Sequence, residues 1–258
     1  MIVQYCSDLH LERQLNSKHV EENPLAPEGD VLLLAGDILH LTDGWPYHPF
    51  LDKVSRQYRM VFLLPGNHEF YGGLDLRFAD RPHKQFVRPN VMLVNNTTVV
   101  YRQTTFVFST LWSHISAQHR VLVEQQVADF KYIRYQGMPL TVPVYNQLFR
   151  QSCKFLEQAA DRRETGKMVV VTHHLPSWQC NAEEFRGSPL NEAFSSELHD
   201  FIYASGPDYW VYGHSHRNMP PVQINGTTLL TNQLGDVASH EFKGFTSAAT
   251  FDLQRTHV

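Results

Sequence analysis

Short runs of apolar residues recur along the chain, and each of them ends in a polar or glycine-containing turn. Continuous runs occupy residues 2–6, 31–35, 60–64, 169–172 and 209–212. Runs of Val, Leu and Ile of this length are typical of strands that are buried on both faces. Segments long enough for a crossover helix, such as residues 49–58, separate the early runs. This alternation predicts an α/β layered fold.

Turn residues and helical spacing predict four further elements. They are helices over residues 144–165 and 191–204, a β-hairpin of residues 222–224 and 227–231, and a last strand over residues 248–253. Gly166 stands where the first of these helices should end, and Asn225-Gly226 is a strong hairpin signal. Residues 111–142 have weak periodicity and many aromatic side chains. We interpret them as an insertion or lid near the active face of a single domain of residues 1–258.

The overall composition is that of an ordinary globular protein. The chain has 258 residues, of which 42% are apolar and 19% charged, and its net charge is −4 with histidine neutral. The length suits one large α/β domain or, at the limit, two small ones. No surplus of positive charge attracts nucleic acid non-specifically, although a local basic strip is compatible with these numbers. The sequence shows neither a signal peptide nor an apolar stretch of membrane-spanning length, which predicts a soluble, cytoplasmic protein with no membrane partner.

Histidine is unusually frequent in this chain, whereas cysteine is not. The 15 histidines invite a search for metal ligands. The three cysteines, Cys6, Cys153 and Cys180, have no spacing that suggests a zinc knuckle or a disulfide framework. We therefore expect three reduced thiols that pack as small apolar side chains.

Five short polar motifs stand where the apolar runs end. They are Asp8-Leu9-His10, Gly36-Asp37, Gly66-Asn67-His68-Glu69, Thr172-His173-His174 and Gly213-His214-Ser215-His216. In open α/β sheets, ligands bind beyond the carboxyl ends of the strands, so loops of this kind converge on one point. Each motif alone has an ordinary explanation, such as a surface pair, a turn residue or a hydrogen-bonded core histidine. Five together, in order and each after an apolar run, favour one shared site.

The residue types in these motifs suit transition-metal ions. Imidazole nitrogens and carboxylate oxygens bind Mn, Fe, Zn, Co or Ni, and no cysteine joins the set. Asp8 and Asp37 supply two negative charges. The other candidate ligands are neutral, namely His10, Asn67, His173, His214 and His216. Two divalent ions would therefore leave a net positive site that attracts a phosphate oxyanion, and they would lower the pKa of bound water enough to give a hydroxide nucleophile.

With this ordered set of motifs, the sequence resembles the calcineurin-like metallophosphoesterases. The match runs from residue 5 to residue 216 and so covers most of the chain. The resemblance implies a four-layer α/β/β/α sandwich with a dinuclear metal centre. By position it implies two ligand sets bridged by Asp37, namely Asp8, His10 and His216 for one metal, and Asn67, His173 and His214 for the other.

The same resemblance gives roles to two further residues of the third motif. His68 is expected not to bind metal but to protonate the leaving oxygen or to stabilise charge in the transition state. Glu69 is expected to orient its neighbours. In the fourth motif a second histidine, His174, is present, and His173 is preferred as the ligand because it lies closer to the strand. Residues 233–245, which include His240, match no part of the pattern and receive no role.

These assignments predict a metal-dependent phosphoester hydrolase, a phosphatase or phosphodiesterase, that acts on a small-molecule phosphoester. A metal-dependent nuclease is the alternative enzyme, against which the lack of a basic surplus counts. A non-catalytic binding module on the same fold is a third interpretation. Such a module would be expected to lose ligands or His68, all of which this chain keeps. The chain has no Gly-x-Ser-x-Gly elbow and no phosphate-binding Gly-x-x-x-x-Gly-Lys loop.

Substrate selectivity must come from outside the metal centre, because the metals recognise only the phosphoryl group. Residues 111–142 offer rings that could stack on a base or sugar and cations that could pair with a second anionic group. The side chains concerned are Trp112, His114, Phe130, Lys131, Tyr132, Arg134 and Tyr135. Packing of the same aromatic residues onto the core is an equally open interpretation.

Overall fold

Two six-stranded β-sheets form the centre of the computed structural model, which describes residues 1–163 and 166–254. The first sheet contains β1 (Ile2–Cys6), β2 (Val31–Ala35), β3 (Met60–Leu64), β4 (His83–Arg88), β5 (Val91–Asn95) and β14 (Thr250–Asp252). The second contains β6 (Thr97–Tyr101), β7 (Thr104–Ser109), β10 (Lys167–Thr172), β11 (Tyr209–Tyr212), β12 (Val222–Ile224) and β13 (Thr227–Thr231). A separate two-stranded ribbon pairs β8 (Arg134–Tyr135) with β9 (Met138–Pro139).

The helices of the described residues lie between these strands in the sequence. They are α1 (Gln14–Glu22), α2 (Pro49–Gln57), α3 (Arg120–Gln126), α4 (Asp129–Tyr132), α5 (Val142–Asp161) and α6 (His199–Ser205). Short 3₁₀ turns cover Trp45–Tyr47, His68–Phe70, Leu76–Asp80, Trp178–Cys180, Glu183–Phe185 and Pro189–Ala193.

The two sheets have matching topologies. Their strand orders are β14-β1-β2-β3-β5-β4 and β12-β13-β11-β10-β7-β6. In each sheet the four central strands are parallel and the two edge strands are antiparallel. Parallel strands present their carboxyl ends at one edge of a sheet, which is where crevices for ligands form.

Buried side chains divide the molecule into four layers. Leu33 of β2 packs with Phe108 of β7 in an apolar core between the two sheets. The next residue along the chain, Leu32, points to the opposite face, where it packs with Leu51 of α2. On the far side of the second sheet, Trp210 packs against α5 and α6. The fold is therefore an α/β/β/α sandwich, as predicted.

Most of the predicted strands are confirmed, with small changes at their ends. Residues 2–6, 31–35, 60–64 and 209–212 are strands with the predicted bounds, whereas β10 begins two residues early, at Lys167. The last strand is shorter than predicted and covers Thr250–Asp252. The hairpin β12–β13 is confirmed, and its turn residues Asn225 and Gly226 both have positive φ, at 44° and 84°. Runs that are apolar at every position form strands here because both faces of each sheet are covered.

The helix predictions are confirmed in part. Residues 49–58 contain α2, which ends at Gln57. The helix predicted over residues 144–165 begins at Val142 and ends at Asp161; residues 164 and 165 lie outside the described residues.

The helix predicted over residues 191–204 is confirmed only in its second half, over residues 199–204. A 3₁₀ turn ends at Ala193 and α6 begins only at His199. Between them, Ser195 forms a bridge with Leu175, so backbone pairing with the loop after β10 replaces the helical hydrogen bonds.

The structure also bears on the expected state of the cysteines and on the expected lack of a membrane span. Cys6, Cys153 and Cys180 are free thiols, and Cys6 and Cys180 are buried. Among the residues that the structure describes, no helix is both long enough and apolar enough to span a bilayer.

Candidate metal centre

The five polar motifs meet because they follow parallel strands of the two facing sheets. In the first sheet, Asp8, Asp37 and Asn67 stand two or three residues beyond the ends of β1, β2 and β3. In the second sheet, His173 directly follows β10 and His214 stands two residues beyond β11. The fold therefore gathers side chains that are far apart in the sequence; Asp8 and His214, for example, are 206 residues apart.

Five of the seven candidate ligands have a backbone conformation that is uncommon outside glycine. Positive φ angles occur at Asp8 (57°), His10 (48°), Asp37 (56°), His214 (79°) and His216 (54°). Such conformations persist where the surrounding structure enforces them, and they concentrate at functional sites. The turns after the strands are thus shaped to direct these side chains inward.

Two motif glycines allow the loops to come this close. A Cβ atom placed on Gly66 would lie 2.6 Å from Nε2 of His173 and would also collide with the carboxylate of Asp37. A Cβ on Gly36 would lie 2.6 Å from Cγ of His173. The glycines that precede Asp37 and Asn67 therefore leave the space that the imidazole of His173 occupies.

The candidate ligands form two groups that share one residue. Each group has ligand atoms that all lie within 4.8 Å of one another, and Asp37 belongs to both. The first group is Asp8, His10, Asp37 and His216, and the second is Asp37, His173 and His214. Oδ1 of Asp37 lies 3.3 Å from Nε2 of His173, while its Oδ2 lies 3.9 Å from Nε2 of His10. One oxygen of the Asp37 carboxylate therefore faces the first group, and the other oxygen faces the second group.

Hydrogen bonds fix which ring nitrogen three of the histidines present to the site. Nδ1 of His10 lies 3.0 Å from Oε1 of Glu12, and Nδ1 of His216 lies 2.6 Å from Oε2 of Glu241. Nδ1 of His173 lies 2.9 Å from the carbonyl oxygen of Ala35. Because these oxygens only accept, each Nδ1 carries the proton in the neutral ring and each Nε2 keeps a lone pair.

The consequence is a set of acceptor atoms that face one another. Nε2 of His10 lies 2.9 Å from Nε2 of His216. Nε2 of His173 lies 3.0 Å from Oδ1 of Asn67 and 3.1 Å from Nδ1 of His214. Two lone pairs that face each other at such a distance, as between His10 and His216 or between His173 and Asn67, repel unless a proton or a metal ion lies between them. Imidazole, carboxylate and amide groups in this arrangement suit a divalent transition-metal ion.

The electrostatics of the two groups support the same conclusion. Although burial alone lowers the pKa of His173, the facing Asp37 carboxylate raises it to about 9. Burial also lowers the pKa of His216, but hydrogen bonds with Asp8 and Glu241 raise it to about 10. Protons and metal ions therefore compete for the same facing atoms.

Asn67 is oriented by a residue far away in the sequence. Its Nδ2 donates a hydrogen bond of 2.8 Å to Oδ1 of Asp129. The amide oxygen is consequently directed at His173 and the second group. The structure thus places all seven predicted ligands around one point, Asn67 included.

His68 lies at the edge of this cluster rather than within either group that contains Asp37. Its backbone N–H donates to Oδ1 of Asp37 over 2.9 Å, and its Nδ1 lies 3.5 Å from Oε1 of Glu12. Its ring stacks on that of Tyr71, with centroids 4.1 Å apart and planes inclined by 24°. The ring borders the cavity beside the cluster, where a group that transfers a proton to substrate has to lie.

Glu69 contacts the backbone of the loops and not the cavity. The carboxylate is fully buried and accepts hydrogen bonds from the backbone N–H groups of Asp37 (2.9 Å), Ile38 (2.8 Å) and Gly66 (2.7 Å). These contacts tie the loop after β2 to the loop after β3, in line with the orienting role expected from the sequence.

His174 points away from the two groups. Its Nδ1 lies 3.1 Å from the carbonyl oxygen of Thr110, and its Nε2 lies 3.0 Å from the hydroxyl of Tyr145. Burial lowers the pKa of His174 to about 3, so the ring is neutral. Its ring packs on that of His214 at a centroid distance of 4.1 Å. Of the two adjacent histidines, only His173 directs a nitrogen at the cluster.

Sequence reasoning assigned no role to residues 233–245, yet this stretch contacts His216 twice. Glu241 bonds the ring nitrogen described above, and the side-chain oxygen of Gln233 accepts a hydrogen bond of 2.6 Å from the backbone N–H of His216. No spacing in the sequence connects Glu241 with His216. His240, also left without a role, has a positive φ of 57° and is exposed.

A cavity of about 380 Å³ opens beside the cluster. Its walls come from the third and fifth motifs, from residues 126–129 and from Phe185, Leu190 and Phe194. Residues 126–129 belong to the predicted insertion, so this part of it lies at the candidate site. A larger cleft of about 1060 Å³, bordered by His114 and Trp178, includes none of the seven candidate ligands.

The aromatic residues proposed for substrate recognition divide into two sets. Trp112 and Phe130 are 1% and 7% exposed and belong to an apolar cluster with Phe70. For Trp112, of the two interpretations left open by the sequence, packing onto the core is the one that the burial supports. Tyr132 is 48% exposed, and its ring lies 5.2 Å from that of Tyr71.

The other side chains proposed for recognition lie outside the cavity wall. His114 borders the larger cleft. Lys131 lies over the ring of Tyr132 at 5.1 Å. Arg134 donates to the carbonyl oxygens of Lys131 and Ile133, and the hydroxyl of Tyr135 donates to Asp80.

Comparison with known proteins gives a consistent result. A family model described as calcineurin-like phosphoesterase matches residues 3–218, a range that includes all seven candidate ligands and His68. Uncharacterized protein L509 of Acanthamoeba polyphaga mimivirus is 29% identical over 283 residues, which cover 98% of this chain and 97% of that protein. The crystal structure of phosphopantetheinyl hydrolase (PptH) from Mycobacterium tuberculosis has a TM-score of 0.71 at 18% identity and covers 98% of this chain and 97% of that one. At that identity the likeness concerns the fold.

Proposed function

The chain belongs to the calcineurin-like phosphoesterase family, and on that premise we propose that it hydrolyses a small-molecule phosphoester with two divalent metal ions. Asp37, which belongs to both candidate groups, would contribute an oxygen to each ion. The remaining ligands divide as the geometry groups them, with Asp8, His10 and His216 on one side and Asn67, His173 and His214 on the other. Mn, Fe, Zn, Co and Ni all suit this set of nitrogen and oxygen ligands.

The observation that supports the metals is the pair of facing lone pairs on His10 and His216. Both rings donate through Nδ1 to a carboxylate, and their Nε2 atoms lie only 2.9 Å apart. Ligand histidines in metal sites donate their second N–H to a carboxylate or carbonyl in this way. Without a metal ion, a proton on His216 would have to separate the two nitrogens, in line with the raised pKa of that ring.

Two divalent ions bound there would polarise the phosphoryl oxygens and supply a hydroxide nucleophile from bound water. The side chain proposed for proton transfer is His68. Nδ1 of His68 lies 3.5 Å from Oε1 of Glu12 and Tyr71 stacks on the face of the ring, so both contacts favour one orientation. Its remaining nitrogen is then free to donate a proton to the leaving oxygen. The cavity walls bind the part of the substrate beyond the phosphoryl group.

The two alternative functions, a nuclease and a non-catalytic binding module, would require different features of the protein. A nuclease would need a basic groove, whereas the chain has a net charge of −4. A binding module without activity would need no proton donor, whereas this chain has a fixed His68 beside the ligands. Preference for monoesters or diesters, and the cytoplasmic location expected from the sequence, stay predictions.

Metal analysis combined with a substrate panel tests the proposal. Protein stripped with a chelator is reloaded with each metal and assayed on p-nitrophenyl phosphate and bis(p-nitrophenyl) phosphate. We expect two ions per chain and turnover that depends on them. Full activity with no transition metal, unaffected by chelators, contradicts the proposal. Faster hydrolysis of DNA than of either small ester favours the nuclease, and two bound ions with no hydrolysis favour the binding module.

A further inference from the structure

Asp129 is a buried carboxylate that the metal assignment does not use. It begins α4, within the predicted insertion, and is 1% exposed. Its Oδ1 accepts hydrogen bonds from Nδ2 of Asn67 (2.8 Å) and from the hydroxyl of Tyr71 (2.6 Å). Among the described residues, its Oδ2 is buried without a partner, and the residue borders the cavity. Burial of a carboxylate costs free energy that only its hydrogen-bond and charge partners offset.

The hydrogen bond to Asn67 decides which end of the amide faces the metals. A primary amide has two donors on nitrogen and two lone pairs on oxygen, and either end fits the same space. Only the oxygen can bind a cation. Because Asp129 accepts and cannot donate when ionised, it selects the orientation that directs Oδ1 of Asn67 at His173.

The hydrogen bond to Tyr71 connects Asp129 with the surroundings of His68, the proposed proton donor. The ring of Tyr71 stacks on His68 at 4.1 Å, and its hydroxyl is held by the same oxygen of Asp129 that holds Asn67. One carboxylate is thus connected both to a proposed metal ligand and to the ring beneath the proposed proton donor.

We propose that Asp129 is a positioning residue that fixes Asn67 as a metal ligand and Tyr71 as the support of His68. The segment that carries Asp129 then completes the metal centre instead of only covering it. The inference rests on the proposed function, since it assumes that Asn67 binds a metal ion.

Metal affinity separates this role from general loss of structure. The free-metal concentration is buffered, and the occupancy of each variant is measured by elemental analysis and by titration with Co²⁺, whose absorption reports the coordination. In Asp129→Ala, we expect one of the two ions to bind about 10–100-fold more weakly while the other binds as in the wild type. Asp129→Asn should restore binding, because its side-chain oxygen can still accept from Asn67.

Two further variants serve as controls. Tyr71→Phe removes the second hydrogen bond, so it should lower kcat and leave metal affinity unchanged. Asp80→Ala removes another carboxylate that accepts from a tyrosine hydroxyl, that of Tyr135, but contacts no proposed ligand. It should change neither metal binding nor kcat.

The outcomes also separate this inference from the proposed function. A wild-type protein that binds no metal overturns the proposed function. A wild type with two ions whose affinities are unchanged in Asp129→Ala overturns the inference alone. If Asp129→Ala does not fold, Asp129→Ser is measured in the same way, and an unchanged affinity there has the same meaning. In an Asn67→Ala background, the Asp129 substitution should have no further effect on the weakened site.

Discussion

The carboxylate of Glu241 lies 2.6 Å from Nδ1 of His216, 25 residues earlier in the chain. The bond leaves Nε2 of His216 as the atom that faces Asp8 at 3.4 Å. Burial and the hydrogen bond to His216 act on Glu241 in opposite directions, and the net result lowers the pKa of Glu241 to about 2. The carboxylate is therefore ionised at neutral pH and accepts the hydrogen bond that, in the proposed site, would orient His216.

Removal of this carboxylate should weaken metal binding at one group. In Glu241→Ala, we expect affinity for the ion held by Asp8, His10 and His216 to fall by about 10–100-fold, because the ring of His216 loses its orientation. Glu241→Gln should retain most of the affinity, since an amide oxygen still accepts from Nδ1. Glu184→Ala is the control, because Glu184 pairs with Arg217 but not with His216. Equal affinities in all three variants would show that Glu241 does not position the ligand.

Asp37 and Asp8 should differ in how many ions depend on them. Asp37 belongs to both candidate groups, whereas Asp8 belongs to one. We therefore expect Asp37→Ala to lose both ions and all activity, and Asp8→Ala to retain the ion held by His173 and His214. Elemental analysis after dialysis measures the difference. Two retained ions in Asp37→Ala would rule out a bridging carboxylate.

His68 should affect the chemical step more than metal binding. We expect His68→Ala to lower kcat by about 10²–10⁴-fold, the usual contribution of general acid catalysis, with two ions still bound. Esters with a very good leaving group should lose less, because they need less protonation. Loss of an ion together with activity would instead identify His68 as a ligand, since Glu12, His10 and His68 also lie within ligand distance of one another.

Substitutions of Trp112 and Gln126 should have different effects, because within residues 111–142 the first residue packs in the core and the second borders the cavity. Trp112 packs against Tyr145 and His174, so Trp112→Ala should lower the free energy of unfolding by about 3–5 kcal/mol. Gln126 is exposed and borders the cavity. Gln126→Ala should therefore change KM and the ranking of substrates, with a stability change within about 0.5 kcal/mol. Thermal unfolding measures the stability of each variant, and a panel of phosphoesters measures its substrate ranking. An unchanged substrate ranking in Gln126→Ala would show that selectivity comes from another wall of the cavity.

The sequence by itself indicated the buried strands of an α/β fold and the residues of the candidate site, while the four-layer arrangement followed from the family resemblance. Runs such as residues 31–35 are apolar at every position, which only a sheet covered on both faces accommodates. The polar motifs follow these runs directly, so their place at the strand ends can be read locally. Asp37 and His173 could be named as candidate ligands for that reason, before any distance between them was known.

Only the tertiary structure decided which side chains support those residues. Asn67 and Asp129 are 62 residues apart, and neither the spacing nor the composition of the chain links them. The first half of the helix predicted over residues 191–204 failed for the same reason, because Ser195 pairs with Leu175 from a distant loop. Local patterns record the burial of a segment and the conformation of a turn. Hydrogen-bond partners are selected by where separate segments meet in the folded chain, and a single sequence does not contain that information in any local pattern.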